Sequence, residues 1–132
     1  MGVGLDSTPR PRMLLAYSDP SYACRCARYF RRAGWEVHTV ASSADALRLA
    51  NVHQPRVILV DVDLPDLDGW QTCARLMSEG PDRKVILLHD RSRSAVSDQL
   101  SQSRGEGLIA RDEPFERLES LVSSRHVVRR VG

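Results

Sequence analysis

The chain has 132 residues, of which 42% are hydrophobic and 27% charged, and this composition is that of an ordinary folded domain and not of a disordered segment. We expect one domain at this length, and not two lobes with a catalytic cleft between them. The net charge is only +2, and its basic excess lies at the chain ends, which argues against a nucleic-acid-binding surface. No apolar run approaches the roughly 20 residues of a membrane helix. The first residues also lack the apolar core of a secretory signal, so we expect a cytoplasmic protein.

Changes in composition divide the chain into three segments. Residues 1–11 are rich in Gly, Ser and Pro and have no periodicity, which predicts a flexible N-terminal lead. Residues 12–124 carry the regular apolar patterns and form the predicted domain. Residues 125–132 form a basic C-terminal extension that is too short for a DNA-binding module.

Five short apolar runs alternate with five helical patterns along the predicted domain. The strands are predicted at 13–16, 36–40, 57–60, 85–88 and 108–111. The first helix is predicted to begin at Pro20 with Asp19 as its N-cap, and the second to begin at a cap formed by Ser42-Ser43. The other three are predicted at 70–77, at 92–103, and around Phe115, Leu118, Leu121 and Val122. This alternation predicts βαβ units and a parallel sheet covered on both faces. The expected fold is a flavodoxin-like, doubly wound (βα)5 three-layer sandwich with a five-stranded parallel sheet.

The candidate functional residues are those that directly follow the predicted strands. In an open α/β sheet the functional crevice lies at the carboxyl ends of the strands, near the point where the strand order reverses. The residues at these positions are Tyr17, Ser18, Asp19, Asp61, His89, Asp90 and Arg111.

Asp61 ends a continuous apolar strand, where an unpaired carboxylate would be costly to bury. A hydrated crevice or a neighbouring cation would remove that cost, and the residue would then be a functional carboxylate. The alternative is an aspartate that caps a helix or lies in a loop. The strand by itself does not decide between these two interpretations.

The segment around Asp61 belongs to a set of short motifs. They are Val-Ile-Leu-Val-Asp at 57–61, Leu64-Pro65 and Asp68-Gly69, together with Gly-Trp-Glu-Val at 34–37, Ala-Asp-Ala-Leu at 44–47 and Gly-Leu-Ile-Ala-Arg-Asp at 107–112. In this combination the chain resembles the receiver domain of bacterial two-component response regulators, the CheY-like family. The resemblance covers residues 12 to about 124. It implies a phosphorelay function in which Asp61 accepts a phosphoryl group from a histidine kinase.

The resemblance also implies an Mg²⁺ site, and here the chain departs from the family pattern. The family places an acidic pair after the first strand, where this chain has Tyr17 and Ser18. Asp61, Asp19 and Asp63 are the remaining candidate metal ligands, and the simplest role of Asp19 is to cap the following helix. A divalent hard cation prefers a denser set of oxygen ligands. We therefore expect weak Mg²⁺ binding or none.

Two further family positions are also changed. His89 stands where the family has a switch Ser or Thr, and it could pair with Asp61, contact a phosphoryl group, or occupy a solvated strand end. Arg111 stands at the position of the family lysine and keeps the charge but not the shape. A second alignment register would put Glu113 there instead. With Arg111 in place, an ion pair between Asp61 and Arg111 is the expected resting state.

Two mechanisms follow for a receiver-like domain without enzymatic activity of its own. One is a phosphorylation switch at Asp61, and the other is a pseudo-receiver that binds partners independently of phosphorylation. The expected partners are a histidine kinase, a phosphotransfer protein, or a downstream protein bound to the face of the fourth and fifth strands and helices. A homodimer is left open, and neither a membrane nor nucleic acid is expected as a partner. The rival function is a small-molecule or nucleotide site on a flavodoxin-like fold.

Overall fold

A computed structural model of the chain describes residues 10–80, 82–89 and 107–123, with only the backbone described at 107–110. The helix predicted at 92–103, the predicted C-terminal extension and most of the predicted N-terminal lead lie outside these residues. Asp90 and part of the predicted partner face of the fourth and fifth strands and helices also lie outside them.

Strands and helices alternate along the described residues as the sequence predicts. They are β1 (Arg12–Ala16), α1 (Pro20–Arg32), β2 (Glu36–Val40), α2 (Ser43–His53), β3 (Val57–Asp61), α3 (Gly69–Glu79), β4 (Lys84–His89), β5 (Gly107–Ala110) and α4 (Phe115–Ser123). Helix α4 is the fifth helix of the sequence prediction. Strand β5 ends one residue earlier than predicted, so Arg111 lies in the following turn, where its N–H donates to the carbonyl of His89 at 2.7 Å.

The five strands form one parallel sheet in the order β2-β1-β3-β4-β5, which confirms the predicted fold class. The strand order reverses between β1 and β3, because the chain first builds outward to β2 and then returns past β1. The carboxyl ends of β1 and β3 therefore meet beside the crevice that this reversal creates.

The helix starts follow from capping side chains. Asp19, Ser42 and Asp68 lie at the N-caps of α1, α2 and α3, and each accepts a hydrogen bond from a backbone N–H of the first turn. The caps predicted at Asp19 and Ser42 are thus confirmed. Gly34 follows α1 with φ 101°, a conformation in which a side chain would be strained.

Alternate side chains of the buried strands pack into two apolar layers, one on each face of the sheet. Phe30, Leu59 and Leu118 belong to the layer beneath α1 and α4. Leu87 and Leu76 belong to the layer beneath α2 and α3. The three-layer architecture therefore arises because both faces of the central strands are apolar.

Helix α1 has an apolar stripe that is buried along most of its length. Tyr22, Cys26 and Phe30 are buried and Tyr29 is partly buried, but Ala33 is exposed because α1 ends at Arg32. No helix within the described ranges is long and apolar enough to cross a membrane.

Candidate functional site

Asp61 lies at the end of β3 and is only 5% exposed. Its Oδ2 accepts hydrogen bonds from the Ser18 hydroxyl at 3.0 Å and the Ser18 N–H at 3.3 Å. Its Oδ1 accepts from the Asp63 N–H at 2.8 Å. These three hydrogen bonds offset the free-energy cost of burying the carboxylate. Asp61 is therefore a hydrogen-bonded crevice residue and not a helix cap, since the cap of α3 is Asp68.

Ser18 and Tyr17, which replace the expected acidic pair, have different environments. Ser18 contacts Asp61 with both its hydroxyl and its backbone N–H. Tyr17 is 4% exposed, and its ring centroid lies 4.5 Å from that of Tyr22 in the layer beneath α1. Burial raises the pKa of the Tyr17 hydroxyl, so this side chain stays a neutral phenol at neutral pH.

Asp19 already has two polar partners. Its Oδ1 accepts from the Ser21 N–H at 3.0 Å and so caps α1. Its Oδ2 lies 3.5 Å from Nη1 of Arg111. The side chains of Asp19 and Arg111 are about 40% exposed, so this ion pair contributes little stability. It nevertheless places the guanidinium beside the carboxylate that was one of the three candidate metal ligands.

Arg111 contacts the end of β1 and not Asp61, which differs from the expected Asp61–Arg111 ion pair. Besides Asp19, its Nη1 donates to the Tyr17 hydroxyl at 3.2 Å. Two acceptors at the end of β1 thus face one guanidinium, while Asp61 receives its hydrogen bonds from Ser18 and Asp63. This contact with Tyr17 brings Arg111 to the strand ends.

Glu113, the alternative to Arg111, lies farther along the same connection. It lines a cavity of about 390 Å³ together with Asp19, Tyr22, Arg25, Arg111, Asp112, Pro114 and Phe115. This cavity lies between the start of α1 and the β5–α4 connection.

His89 ends β4 and is partly buried. Its Nδ1 is buried and has no hydrogen-bond partner in the part of the chain that the structure describes. None of the contacts that hold Asp61 comes from His89, so the structure does not show the pair that was one of the three alternatives.

The candidate metal ligands do not converge. Asp63 is exposed, and its contact with Asp61 is made by its backbone N–H. Asp19 faces Arg111. Within residues 10–80, 82–89 and 107–123, no three His, Cys, Asp or Glu side chains are placed to hold a metal ion. Among the described residues, the crevice therefore offers no cluster of acidic side chains of the kind that holds a divalent cation.

Asp66 is a site residue that the sequence reasoning missed. It lies in the β3–α3 loop, and its carboxylate accepts from the N–H groups of Ser43 and Ala44 at 2.8 and 3.0 Å. These bonds lower the pKa of Asp66 to about 2. They satisfy the two donors of the first turn of α2 that the Ser42 side chain does not reach. The loop after Asp61 is thereby fixed to α2, an arrangement for which the sequence offers no local signal.

Comparisons with known proteins agree with this fold. Residues 14–123 match the family model described as the response regulator receiver domain. The transcriptional regulatory protein PrrA of Mycobacterium tuberculosis is 30% identical over 122 residues, which are 92% of this chain and 52% of that protein. The chain thus spans about half the length of the curated relatives it matches.

Solved structures show the same fold at low sequence identity. A Burkholderia pseudomallei response regulator, crystallised with a phosphorylated aspartic acid, a calcium ion and citrate, has a TM-score of 0.77 and 22% identity. That match covers 86% of this chain and 67% of the other. The response regulator TrrA of Thermotoga maritima, in complex with Mg²⁺ and BeF, has a TM-score of 0.76, 20% identity and coverages of 85% and 96%. The chain belongs to the response regulator receiver domain family of two-component signalling.

Proposed function

We propose that this receiver domain acts through protein contacts and does not depend on Mg²⁺-assisted phosphorylation of Asp61. The observation that carries the proposal is the distribution of hydrogen bonds at the strand ends. Ser18 and Asp63 donate to the Asp61 carboxylate, while Asp19, another candidate metal ligand, faces Arg111.

The chemistry of phosphoryl transfer supports the proposal. Such a transfer brings phosphoryl oxygens against a carboxylate, so it depends on precise positioning and on cations that neutralise the charge. A neutral buried phenol and a serine hydroxyl occupy the positions of the family's acidic pair. The Arg111 guanidinium is directed at Asp19 and Tyr17. Neither arrangement supplies the charge neutralisation that an incoming phosphoryl group needs.

The partner in this proposal is a protein, and the domain itself is a binding module and not an enzyme. The curated relative PrrA is named a transcriptional regulatory protein and is about twice as long as the matched region. A histidine kinase, a phosphotransfer protein or a downstream regulator is therefore the class of partner that we propose, with cytoplasmic signalling as the setting.

Intact-mass spectrometry after incubation with acetyl phosphate, with and without Mg²⁺, tests this proposal. The wild-type protein is compared with Asp61→Asn, and a receiver with an intact acidic pair serves as the labelling control. We expect the control to gain one phosphoryl group while neither form of this protein does. A Mg²⁺-dependent adduct that is lost in Asp61→Asn would contradict the proposal and establish Asp61 as a phosphoacceptor.

A further inference from the structure

Strand β2 lies at the edge of the sheet, where β1 is its neighbour on one side. The Glu36 N–H donates to the Pro11 carbonyl at 2.9 Å, so the backbone groups of Glu36 face β1. Backbone groups alternate in direction along a strand, so Val37 and Thr39 direct their N–H and C=O groups away from β1. An edge of this kind is a template for one more strand.

Arg31, in the last turn of α1, covers one of these outward groups. Its Nη2 donates to the Val37 carbonyl at 2.8 Å, in place of the N–H that an added strand would offer. Arg31 is exposed, and none of the ion pairs found among the described residues includes it. Its guanidinium has five N–H donors in a fork that suits a carboxylate. A cation thus guards the edge and can exchange the carbonyl for an acidic partner.

A groove between α1 and the end of β2 adjoins this edge. It has a volume of about 400 Å³ and is lined by Ala23 and Cys24 from α1 and by Thr39 from β2. Within the described part of the chain, Arg31 is the only charged residue of its lining. The α1 side extends from Pro20 to Arg31, which is about 16 Å of helix and equals about five residues of extended chain. The groove therefore has the length of a short strand.

We infer that the edge of β2 and the adjoining α1–β2 groove bind an extended, acidic segment of a partner protein, which adds a sixth strand to the sheet and places a carboxylate on Arg31. The backbone of the segment pairs with the outward groups of Val37 and Thr39. Every second side chain of an added strand faces α1, where the small lining residues leave room for an apolar group. This inference rests on the proposed function only in assuming that the partner is a protein.

The charge of the groove favours such a segment over a second copy of this chain. Pairing β2 with the β2 strand of a second copy would bring both Arg31 guanidinium groups to one face of the joined sheet, because a twofold axis normal to the sheet relates them. Like charges at that distance repel each other. An acidic segment instead meets a single cation that has no carboxylate partner among the described residues.

Cys24 makes a direct test possible, because it lines the groove and is exposed, whereas Cys26 and Cys73 are buried. A peptide of about six residues, with valine and threonine alternating around a central glutamate, is attached to the full chain through a disulfide to Cys24. A second peptide has Gln in place of Glu, and a third has every backbone amide N-methylated. The tether gives each peptide an effective concentration on the order of 1 mM, so weak binding is measurable.

Two quantities are measured for each attached peptide. The first is the mercaptoethanol concentration that releases half of the peptide, which rises when noncovalent contacts hold it. The second is the hydrogen-exchange rate of the Val37 and Thr39 amides, which falls when these groups pair with a strand. Arg31→Gln is compared with Arg28→Gln, which removes the same charge from an exposed position of α1 outside the groove lining.

We expect the Glu peptide to need at least tenfold more mercaptoethanol than the N-methylated peptide and at least threefold more than the Gln peptide. Exchange at Val37 and Thr39 should slow at least tenfold with the Glu peptide only in its unmethylated form. Arg31→Gln should abolish the preference for Glu over Gln, and Arg28→Gln should keep it.

Three results would overturn the inference. They are release of all three peptides at one concentration, unchanged exchange at Val37 and Thr39, and equal effects of the two arginine variants. A dimer in sedimentation velocity whose formation protects Cys24 from thiol reagents would assign the edge to a second copy and would overturn it as well. Asp61→Asn should release the peptides as the wild type does, so this result stands apart from the phosphorylation experiment.

Discussion

Gly69 links the stability of the fold to the geometry of the candidate site. It begins α3, and its N–H donates to the carbonyl of Val62 at 2.9 Å. A methyl group at this position would lie against the backbone carbonyl of Asp61 and 2.5 Å from the Cα of Val62. Carbon atoms in contact are about 3.5–4.0 Å apart, so Gly69→Ala must shift this backbone by about 1 Å.

The size of the effect follows from two opposing contributions. Overpacking a rigid site destabilises a protein by about 1–3 kcal/mol. Replacing Gly with Ala also reduces the conformational entropy of the unfolded chain, which stabilises the protein by about 0.4–1 kcal/mol. We therefore expect Gly69→Ala to lower the free energy of unfolding by about 1–2 kcal/mol and Tm by roughly 4–8 °C.

Gly80→Ala is the matched control, because a methyl group there meets the end of the Arg83 side chain and not backbone. Urea unfolding should show a clearly smaller loss for this variant than for Gly69→Ala. Amide chemical shifts of Asp61, Val62 and Asp63 should move in Gly69→Ala only. Wild-type stability and unchanged shifts in Gly69→Ala would refute the close approach of α3 to the site.

Three further predictions concern charge, titration and the core. The lowered pKa of Asp66, about 2 against the ordinary 3.8, stabilises the fold above about pH 4. In urea unfolding near pH 6, Asp66→Asn should therefore have a lower free energy of unfolding than the wild type. This difference should disappear as the pH falls toward 2, and a difference that does not change with pH would contradict the assignment. All three tyrosines have raised pKa values. Burial raises the pKa of Tyr17 and Tyr22, and a hydrogen bond to the Glu119 carboxylate raises the pKa of Tyr29 to about 12. Ultraviolet titration near pH 10 should thus detect little phenolate in the folded protein and roughly half in the unfolded chain, and equal signals would refute the assigned environments. Phe30 is 0% exposed, so Phe30→Ala should lower the free energy of unfolding in urea by about 3–5 kcal/mol. Val52 is 63% exposed, so Val52→Ala should change it by less than about 0.5 kcal/mol. Similar losses in the two variants would show that the core is misassigned.

The sequence predicts the fold well because local patterns determine it. Continuous apolar runs locate β1, β3 and β4 to within one residue at each end, since strands buried on both faces leave no alternation to misread. The caps at Asp19 and Ser42 are predictable because a capping side chain reaches N–H groups only two or three residues away.

The site is less predictable because its contacts join residues distant in the sequence. Asp66 contacts the start of α2 across more than 20 residues, and no local pattern encodes this contact. Sequence reasoning correctly places Arg111 beside the strand ends but assigns it the wrong partner. The choice between Asp61 and Asp19 depends on where the β5–α4 connection directs the guanidinium, which only the folded backbone determines.

Isothermal titration of the wild-type protein and Ser18→Asp with Mg²⁺ tests the central claim most directly. Ser18 lies within hydrogen-bonding distance of Asp61, so the variant places a second carboxylate beside the first and creates the oxygen-rich pair that a divalent cation prefers. We predict no saturable Mg²⁺ binding to the wild type and measurable binding to Ser18→Asp. Submillimolar, saturable binding to the wild type would contradict the account, because the crevice would then hold the ion without an acidic pair.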